Sequence, residues 1–514
     1  MTFAGVRRKA MPWLAAVVLA GCVTACDSGQ SGGAGAAEER DGAPEAHGAP
    51  AARPNIVWVL TDDLSSDLVD HMPNVRALRK EGMSFENYTV TDSLCCPSRS
   101  SLFTGKYPHN TGVFTNSPPD GGFDVFHQKG NEDKTFATAL QRQGYRTAMM
   151  GKYLNGYEPD MTVGGEKNYV PPGWDEWAVA GNGYKEYDYT LNENGKTVDY
   201  GHDAQDYLTD VVSAKGQDFV EEAAGDKKPF LLDISTFAPH GPATPAPQDR
   251  GRYQDLDLPK SPAFDETPTG APGWLRDKKP LTRQQVQEIT RTHRKRVRAV
   301  QAVDRMVGDL RKVLEAEGVA DDTVFAFASD NGFHLGQYRL TPGKQTAFDT
   351  DVNVPLVVTG PGVEHGTTGA IASNIDLCPT FTELGGGTPD PGADGRSLLP
   401  LLKGGTPKDW PTGALIEHHG PNSAPDDPDK PRKGSGNPPT YDALRTDRYT
   451  YVEYRDGAHE FYDRGKDPDM LHNTYAGLDP AVREQLAAAV AEMRGCEGAK
   501  ECSAAARAPD AGLS

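Results

Sequence analysis

The chain has 514 residues, of which 37% are hydrophobic and 25% are charged. This length suffices for one large α/β core with a smaller domain, or for three small domains, and the hydrophobic fraction excludes a chain that is disordered from end to end. Lys and Arg number 53 against 73 Asp and Glu, so the formal net charge is −20. Such a chain is a poor candidate for a nucleic-acid coat or a basic membrane-surface protein, and any anion would have to bind at a local cluster of Arg, Lys and His.

The first 21 residues have the pattern of an export signal. Basic residues 7–9 precede a short apolar stretch over residues 11–20, which is shorter than the ~20 residues of a membrane span. The sequence Leu-Ala-Gly-Cys that ends at Cys22 resembles the lipobox of bacterial lipoproteins, in which the Cys is lipidated and becomes the mature N-terminus. We expect residues 1–21 to be a signal peptide and Cys22 to be lipidated. An ordinary secretory signal is the alternative.

A linker is predicted to follow, over residues 22–52. Residues 27–52 contain neither aromatic nor β-branched side chains, so they cannot bury enough apolar surface to fold. The folded part is therefore expected to begin near Arg53, outside the cytoplasm. It would be anchored by lipid to the outer face of a bacterial cytoplasmic membrane, or secreted, with no membrane contact except through the anchor.

Apolar runs rich in β-branched residues alternate with helical patterns between residues 55 and 359. Valines and leucines from Val297 to Leu314 recur at spacings of three and four, which indicates an amphipathic helix. This alternation predicts an α/β fold with a large, mostly parallel sheet sandwiched by helices. The predicted strands are 55–60, 145–150, 229–236, 323–329 and 354–359, and the other predicted helices are 73–82 and 135–144.

Past about residue 405 the pattern changes to short segments typical of antiparallel strands, followed by one helix. We therefore expect a main domain over residues 53–404 and a small C-terminal α/β subdomain and tail, with an antiparallel sheet, over residues 405–514. Cys496 and Cys502 lie close together in a chain expected to be exported, so a short disulfide is predicted between them. The predicted strands are 414–418, 448–454 and 459–462, and the helix is 479–494.

Polar residues follow several of the predicted strands. Binding sites in parallel sheets lie beyond the carboxyl ends of the strands, so these residues are expected to meet. A single Asp after a strand is more often a turn residue or a helix cap, but acidic or amide pairs at two strand ends favour a metal site. Oxygen donors suit Ca²⁺ or Mg²⁺ better than zinc. The pairs are Asp62 with Asp63 and Asp330 with Asn331, and Lys152 and His240 also follow strands.

A cysteine-containing segment offers a second kind of chemistry. Cys95-Cys96-Pro97-Ser98-Arg99 is followed by Ser-Ser-Leu-Phe-Thr-Gly-Lys. A thiol beside Arg99 would have a lowered pKa and could act as a nucleophile. A structural cysteine at the start of a helix is the alternative, and spacing alone does not decide between the two.

Taken together, these segments resemble the formylglycine-dependent sulfatase family of the alkaline-phosphatase superfamily. The family signature Cys-x-Pro-Ser-Arg, followed by Thr-Gly-Lys, is matched from Cys95 to Lys106. The resemblance runs from about Arg53 to Tyr475 and identifies residues 53–404 as the catalytic domain. Further motifs of the family occur in order at residues 61–63, 151–153, 238–240, 329–332, 344 and 394–399.

The resemblance implies that Cys95 is oxidised to formylglycine by a formylglycine-generating enzyme. The hydrate of that aldehyde would attack sulfur and expel the alcohol, and its second hydroxyl would then release sulfate, an exit that a plain Ser or Cys lacks. The resemblance also implies Ca²⁺ as cofactor, with Mg²⁺ as the alternative. Its expected ligands are Asp62, Asp63, Cys95, Asp330 and Asn331.

Further roles follow from the same resemblance. Arg99, Lys152 and Lys344 are expected to neutralise charge on the sulfuryl oxygens, and His240 or Lys344 to protonate the leaving alkoxide. His334 is expected either to contact substrate or to support the metal-binding loop.

Several segments resemble the N-acetylglucosamine-6-sulfatase branch of the family. In the stretch Gly151–Tyr157, Leu154 replaces the His of the common Lys-x-His motif, and Asn353 stands where relatives carry a basic residue. The expected function is removal of 6-O-sulfate from N-acetylglucosamine residues of sulfated glycans. The alternatives are an arylsulfatase, a phosphonate or phosphate monoester hydrolase of the same superfamily, or a lipid-anchored glycan-binding protein with an unmodified site. The other segments of this branch are 170–174, 187–191, 206–210, 333–337 and 373–377.

Overall fold

The structure is a computed structural model that describes residues 53–425 and 427–513. The predicted signal peptide, the lipidation at Cys22 and the linker lie outside the described residues. The strands are β1 (Asn55–Thr61), β2 (Met83–Thr89), β3 (Arg146–Lys152), β4 (Thr162–Val163), β5 (Glu166–Lys167), β6 (Glu176–Ala180), β7 (Tyr189–Glu193), β8 (Lys196–Tyr200), β9 (Phe230–Ser235), β10 (Thr323–Ser329), β11 (Leu356–Thr359), β12 (Gly366–Ser373), β13 (Gly413–His418), β14 (Tyr441–Thr446), β15 (Tyr449–Tyr454) and β16 (His459–Asp463).

Helices of very different length connect these strands. The α-helices are α1 (Pro73–Glu81), α2 (Cys95–Thr104), α3 (Pro108–Thr111), α4 (Gly122–Gln128), α5 (Phe136–Arg142), α6 (Leu208–Asp226), α7 (Gly273–Arg276), α8 (Arg283–Ala316), α9 (Asp349–Val352), α10 (Leu377–Leu384), α11 (Leu399–Leu402), α12 (Pro480–Arg494) and α13 (Ala499–Ala505). Short 3-10 helices lie at Ser66–His71, Glu132–Lys134, Ala204–Asp206, Pro247–Asp249, Ala320–Asp322, Asn374–Asp376 and Tyr475–Gly477.

The main sheet has ten strands in the order β12-β2-β11-β10-β1-β9-β3-β6-β7-β8. Only β11 and β7 run against the other strands of this sheet, so the predicted α/β class with a large, mostly parallel sheet is confirmed. Side chains of the central strand β1 alternate between two cores. Ile56, Trp58 and Leu60 pack into one, and Val57 and Val59 pack into the other. Both faces of the sheet are therefore covered, which explains the continuous apolar run of β1.

Strand order determines which polar residues meet. β10, β1, β9 and β3 are consecutive neighbours and all run in parallel. Their carboxyl ends consequently lie side by side at one edge, with Thr61 paired to Ser329 and Gly151 paired to Ser235. The residues that follow these four strands are therefore brought to a single edge of the sheet.

One helix is much longer than the pattern predicts. The predicted amphipathic segment lies within α8, and its apolar stripe from Val297 to Leu314 packs into the core on one face of the sheet. The helix begins earlier because Thr282 and Gln285 form a reciprocal capping box at its N-terminus. Its first three turns are largely polar, so the apolar repeat alone does not reveal them. The remaining predicted helices and strands agree with the observed bounds to within two residues.

The C-terminal sheet is antiparallel, as expected, with the order β13-β14-β15-β16. Its second strand, β14, is missing from the sequence prediction, because the alternating segment Tyr441–Thr446 is short and follows a long loop. One face of this sheet shares a core with the main sheet through Ile416, Ala443 and Val452. The other face packs against α12 and the C-terminal tail. The domain boundary at residues 404 and 405 remains a prediction.

A disulfide between Cys496 and Cys502 joins the end of α12 to α13. Within the described part of the chain, no helix is long and apolar enough to cross a membrane.

Candidate active site

Cys95 is the first residue of α2 and is completely buried at the carboxyl edge of the main sheet. Its Sγ lies 3.1 Å from Asp62 Oδ1, 3.6 Å from Asn331 Oδ1 and 2.9 Å from Lys344 Nζ. These partners come from three other segments of the chain: the residues after β1, those after β10 and the loop before α9. The fold therefore assembles the predicted nucleophile position together with the predicted oxygen donors.

The candidate metal ligands form a tight cluster. Asp62, Asp63, Cys95 and Asp330 each offer a ligand atom, and these atoms all lie within 4.8 Å of one another. Asn331 adds its amide oxygen beside Cys95. All of these side chains are buried, and the donors other than sulfur are oxygens. Buried carboxylates this close together need compensating positive charge, so the donor set fits a hard divalent cation.

Three basic side chains compensate this charge in the structure. Lys152 pairs with Asp62, Lys344 Nζ lies 2.6 Å from Asp63 Oδ1, and Arg99 Nε lies 2.8 Å from Asp330 Oδ2. Burial opposes ionisation of Asp62, but the charges of Lys152, His240, Arg99 and Lys344 outweigh it and lower the pKa of Asp62. For Asp330, burial and the charge of Asp62 dominate and raise its pKa, despite Arg99. The proximity of Asp62 and Asp330 thus disfavours ionisation of Asp330, and a bound cation would relieve that repulsion.

The surroundings of Cys95 disfavour ionisation of its thiol. Burial raises the pKa of Cys95 well above its usual value, and the negative charges of Asp330, Asp429 and Asp62 raise it further. Arg99 directs its Nε at Asp330 rather than at the sulfur. An unmodified Cys95 would therefore be a neutral thiol, which does not favour the hypothesis that it attacks directly as a thiolate.

A glycine fixes the position of Lys152 at the end of β3. Gly151 has a φ of +97°, and a Cβ added to it would lie 2.0 Å from the carbonyl oxygen of Ser235 on the neighbouring strand. Only glycine therefore allows the strands to pair here, one residue before the lysine. Lys152 is 3% exposed, and its carbonyl oxygen accepts a hydrogen bond from Arg99 Nη1 at 3.0 Å.

Arg99 has one nitrogen left for a ligand. Its Nε and Nη1 are bound by Asp330 and by the Lys152 carbonyl, whereas Nη2 is buried without a hydrogen-bond partner in the described residues. An unpartnered guanidinium N–H inside the protein is costly unless an anionic group receives it. The residue is therefore suited to hold an oxygen of a sulfuryl group beside Cys95.

His240 is held as a proton donor. Its Nδ1 lies 2.8 Å from the carbonyl oxygen of Gly241, and its Nε2 lies 2.7 Å from Asp429 Oδ1. Both partners can only accept, so both ring nitrogens carry protons in this arrangement. Burial disfavours the charged ring, but Asp63, Asp62 and Asp429 outweigh it and raise the pKa of His240 to about 9.

Asp429 is a site residue that the sequence analysis missed. It lies in the long loop between β13 and β14, where it contacts His240 and lies 2.8 Å from Lys344 Nζ. Its second oxygen accepts from Asn116 Nδ2 at 2.8 Å. Burial opposes its ionisation, yet Lys344 and His240 lower the pKa of Asp429 well below its usual value. No strand precedes it, and an acidic residue among prolines is indistinguishable from a turn residue in the sequence.

His334 lies behind the cluster. It is fully buried, with Nδ1 3.0 Å from Asp351 and Nε2 2.8 Å from the carbonyl oxygen of Ser435. Its backbone exchanges hydrogen bonds with Gly343, next to Lys344. These contacts favour the interpretation that His334 supports the loops around the site over the interpretation that it touches substrate. Leu154, at the position of the missing family His, packs into the hydrophobic core.

A cleft of about 900 Å³, counted with the space open to solvent, lies above the cluster. Its lining includes Asp63, His240, Lys344 and Asp429, and Lys344 connects the cleft with Cys95 below.

Comparison with protein families decides the class of this site. The sulfatase family model matches residues 54–387. The chain belongs to the sulfatase family. A second model, described as the C-terminal part of N-sulphoglucosamine sulphohydrolase, matches residues 341–495 of this sulfatase. The predicted family and enzyme class are thereby confirmed.

Characterised relatives cover most of the sulfatase. The N-acetylglucosamine-6-sulfatases of Capra hircus and Homo sapiens are each 34% identical to it over 474 residues, spanning 87% of this chain and 84% and 85% of those proteins. An extracellular sulfatase SULF-1 homologue of Drosophila melanogaster is 37% identical over 379 residues, which are 72% of this chain but 33% of that protein.

Solved structures share the fold. A protein in complex with its substrate D-glucosamine-2-N,6-O-disulfate has a TM-score of 0.72 at 23% identity, covering 88% of this chain and 98% of that chain. The phosphonate monoester hydrolase of Agrobacterium radiobacter has a TM-score of 0.67 at 22% identity, covering 86% and 95%. The same architecture thus occurs in a phosphonate monoester hydrolase, so the fold by itself does not decide the substrate.

We expect Asp429→Asn to lower the pKa of His240 by about one unit, because it removes a negative charge in direct contact with the ring. The protonated ring is then lost at a lower pH, so the alkaline limb of the pH–rate profile moves to lower pH. The measurement is the pH dependence of kcat/KM with a sulfate ester whose alkoxide leaving group needs a proton. Asp456→Asn is the control, since Asp456 is an exposed aspartate in the turn between β15 and β16 and does not line the cleft. If the alkaline limb of the pH–rate profile stays at the same pH in Asp429→Asn, His240 is not the proton donor whose pKa Asp429 raises.

Proposed function

We propose that this sulfatase removes 6-O-sulfate from N-acetylglucosamine residues of sulfated glycans, using formylglycine made from Cys95 and a divalent cation. The proposal rests on the cluster of Cys95 with four oxygen donors at one edge of the sheet: Asp62, Asp63, Asp330 and Asn331. The 34% identity to N-acetylglucosamine-6-sulfatases over most of the chain supports the choice of sugar and of sulfate position.

The residues of the site fit both a bound divalent cation and a formylglycine at position 95. The oxygens of Asp62, Asp63, Asp330 and Asn331 would hold Ca²⁺, with Mg²⁺ as the alternative, and an oxygen in place of the Cys95 sulfur would complete a set of hard donors. When present, the cation would supply positive charge and the formylglycine a hydrated aldehyde as nucleophile.

The basic side chains of the site have separate tasks. Arg99, through its unpartnered Nη2, and the ammonium groups of Lys152 and Lys344 neutralise the sulfuryl oxygens as negative charge builds up in the transition state. Because these groups are buried and held by fixed partners, they need little reorganisation during the reaction. His240, protonated on both nitrogens and lining the cleft, delivers the proton to the departing sugar oxygen.

The expected cellular setting is consistent with this substrate. The N-terminal sequence pattern predicts export, with Cys22 as a lipid anchor to the outer face of the cytoplasmic membrane, or secretion. Extracellular sulfatases occur among the relatives. An exported enzyme would meet polymeric glycans, and its maturation would require a formylglycine-generating enzyme as partner.

Replacing Cys95 with Ala should reduce turnover by at least ~1,000-fold, because the side chain supplies the nucleophile. Cys96→Ala, the adjacent buried cysteine, is the matched control and should retain activity. Thermal unfolding of both variants should stay within a few degrees of the parent protein.

Mass spectrometry of the peptide that contains Cys95 is the direct test of the modification. Protein from the native host should show formylglycine at Cys95 and an intact thiol at Cys96. An intact thiol at Cys95 in inactive protein would instead favour the glycan-binding alternative.

Ca²⁺ or Mg²⁺ should raise the melting temperature of the chelator-treated protein, because a cation that binds only the folded state stabilises it. In Asp330→Asn the shift should be lost and activity should fall by about 100-fold. Asp233→Asn is the matched control, a buried carboxyl of β9 that hydrogen-bonds Ser235 outside the cluster. Equal cation-induced shifts in both variants would remove Asp330 from the metal site.

The substrate proposal is tested by one preparation against several esters. N-acetylglucosamine-6-sulfate should be turned over with a higher kcat/KM than 4-nitrophenyl sulfate, 4-nitrophenyl phosphate or a phosphonate monoester. Better turnover of the phosphorus esters would make the enzyme a phosphohydrolase. Cleavage of galactose or N-acetylgalactosamine sulfates, with none of glucosamine 6-sulfate, would overturn the choice of sugar.

A further inference from the structure

Three exposed basic side chains, Lys295, Lys430 and Arg432, line the same cleft as the catalytic groups. None of them forms an ion pair with a carboxylate in residues 53–425 or 427–513. The chain as a whole has a formal charge of −20, so three uncompensated cations around one opening are a local reversal of the overall charge. We refer to these three side chains as the basic rim.

One wall of the cleft is a face of α8. Glu288, Thr292, Lys295 and Arg296 line the cleft because residues three and four apart share a face of a helix. Arg296 is buried and donates to the carbonyl oxygens of Asp63 and Pro239, so its role is structural. Glu288 pairs with Arg291. Among the described residues, Lys295 is therefore the charge on this wall that has no ion-pair partner.

The loop that carries Asp429 also lines the cleft. Its backbone is held by hydrogen bonds from the Lys430 amide to Asp427 and from the Ser435 amide to Arg432, and by His334 at the Ser435 carbonyl. Lys430 and Arg432 are thus exposed side chains on a fixed backbone. They line the cleft together with Lys295.

The proposed chemistry does not use the basic rim. Arg99, Lys152 and Lys344 serve the scissile sulfate, and each is bound to a carboxylate of the buried cluster. The rim lies at the solvent-exposed mouth, where the rest of a glycan would extend from the sugar that loses its sulfate. A sulfate or carboxylate there would meet cations that have no other assigned partner.

We propose that the basic rim binds a second anionic group of the substrate, carried by the sugar next to the one that is desulfated. The shared chemistry is an anionic oxygen cluster, supplied by a sulfate ester or by the carboxylate of a uronic acid. This inference rests on the proposed function and deepens it, since it makes the preferred substrate a polyanionic oligosaccharide.

The test compares disaccharides that differ only in the neighbour of N-acetylglucosamine-6-sulfate: a neutral sugar, a uronic acid or a sulfated sugar. The readout is the ratio of kcat/KM for each anionic disaccharide to that for the neutral one. Lys295→Ala, Lys430→Ala and Arg432→Ala should each lower this ratio by about threefold, and the triple variant by roughly 20-fold, mainly through KM. Lys403→Ala, an exposed lysine outside the cleft, is the matched control and should leave the ratio unchanged.

The outcomes separate the two proposals. A loss confined to the uronic-acid or the sulfated disaccharide supports the inference and identifies the anion. An unchanged ratio in the triple variant, with the parent enzyme cleaving all three disaccharides, overturns the basic rim alone. A parent enzyme that cleaves none of them overturns the proposed function, and the inference falls with it.

Discussion

Four buried carboxylates share one site, and the balance of their charge governs the structure around it. Asp62, Asp63, Asp330 and Asp429 are each within ion-pair distance of a basic side chain. Desolvating such groups is expensive, and removing one partner of a buried pair costs about 3–5 kcal/mol. The fold must therefore bury each of these carboxylates together with a basic side chain. The same requirement leaves a set of charged groups that are already oriented when a substrate arrives.

The main sheet meets this requirement by its strand order. Four neighbouring parallel strands end at one edge, so residues more than 260 positions apart in the chain, such as Asp63 and Asn331, are hydrogen-bonded. The helix α2 then places Cys95 at its first turn, facing that edge. Close strand pairing at Gly151 keeps Lys152 at the end of β3. The chemistry is thus built on rigid elements, which hold positions better than loops do.

Loops supply several of the side chains that line the cleft next to the cluster. The segment between β13 and β14 brings Asp429 to His240 and Lys344 and contributes Lys430 and Arg432 to the mouth of the cleft. Residues near the polar beginning of α8 also line this cleft. A phosphonate monoester hydrolase shares this architecture, so the sheet alone does not decide the substrate.

The sequence by itself determined the sheet class, the family, the residues grouped around Cys95 and the bounds of the elements with a clear apolar pattern, because apolar periodicity and contiguous motifs are local properties of a chain. It could not reveal β14, the first three turns of α8, Asp429 or the position of His334 behind the site. Each of these depends on a partner distant in sequence: a neighbouring strand, a capping contact, a histidine from another loop. Only the tertiary structure decides which polar residues of irregular segments meet, since a turn residue and a site residue have the same local pattern.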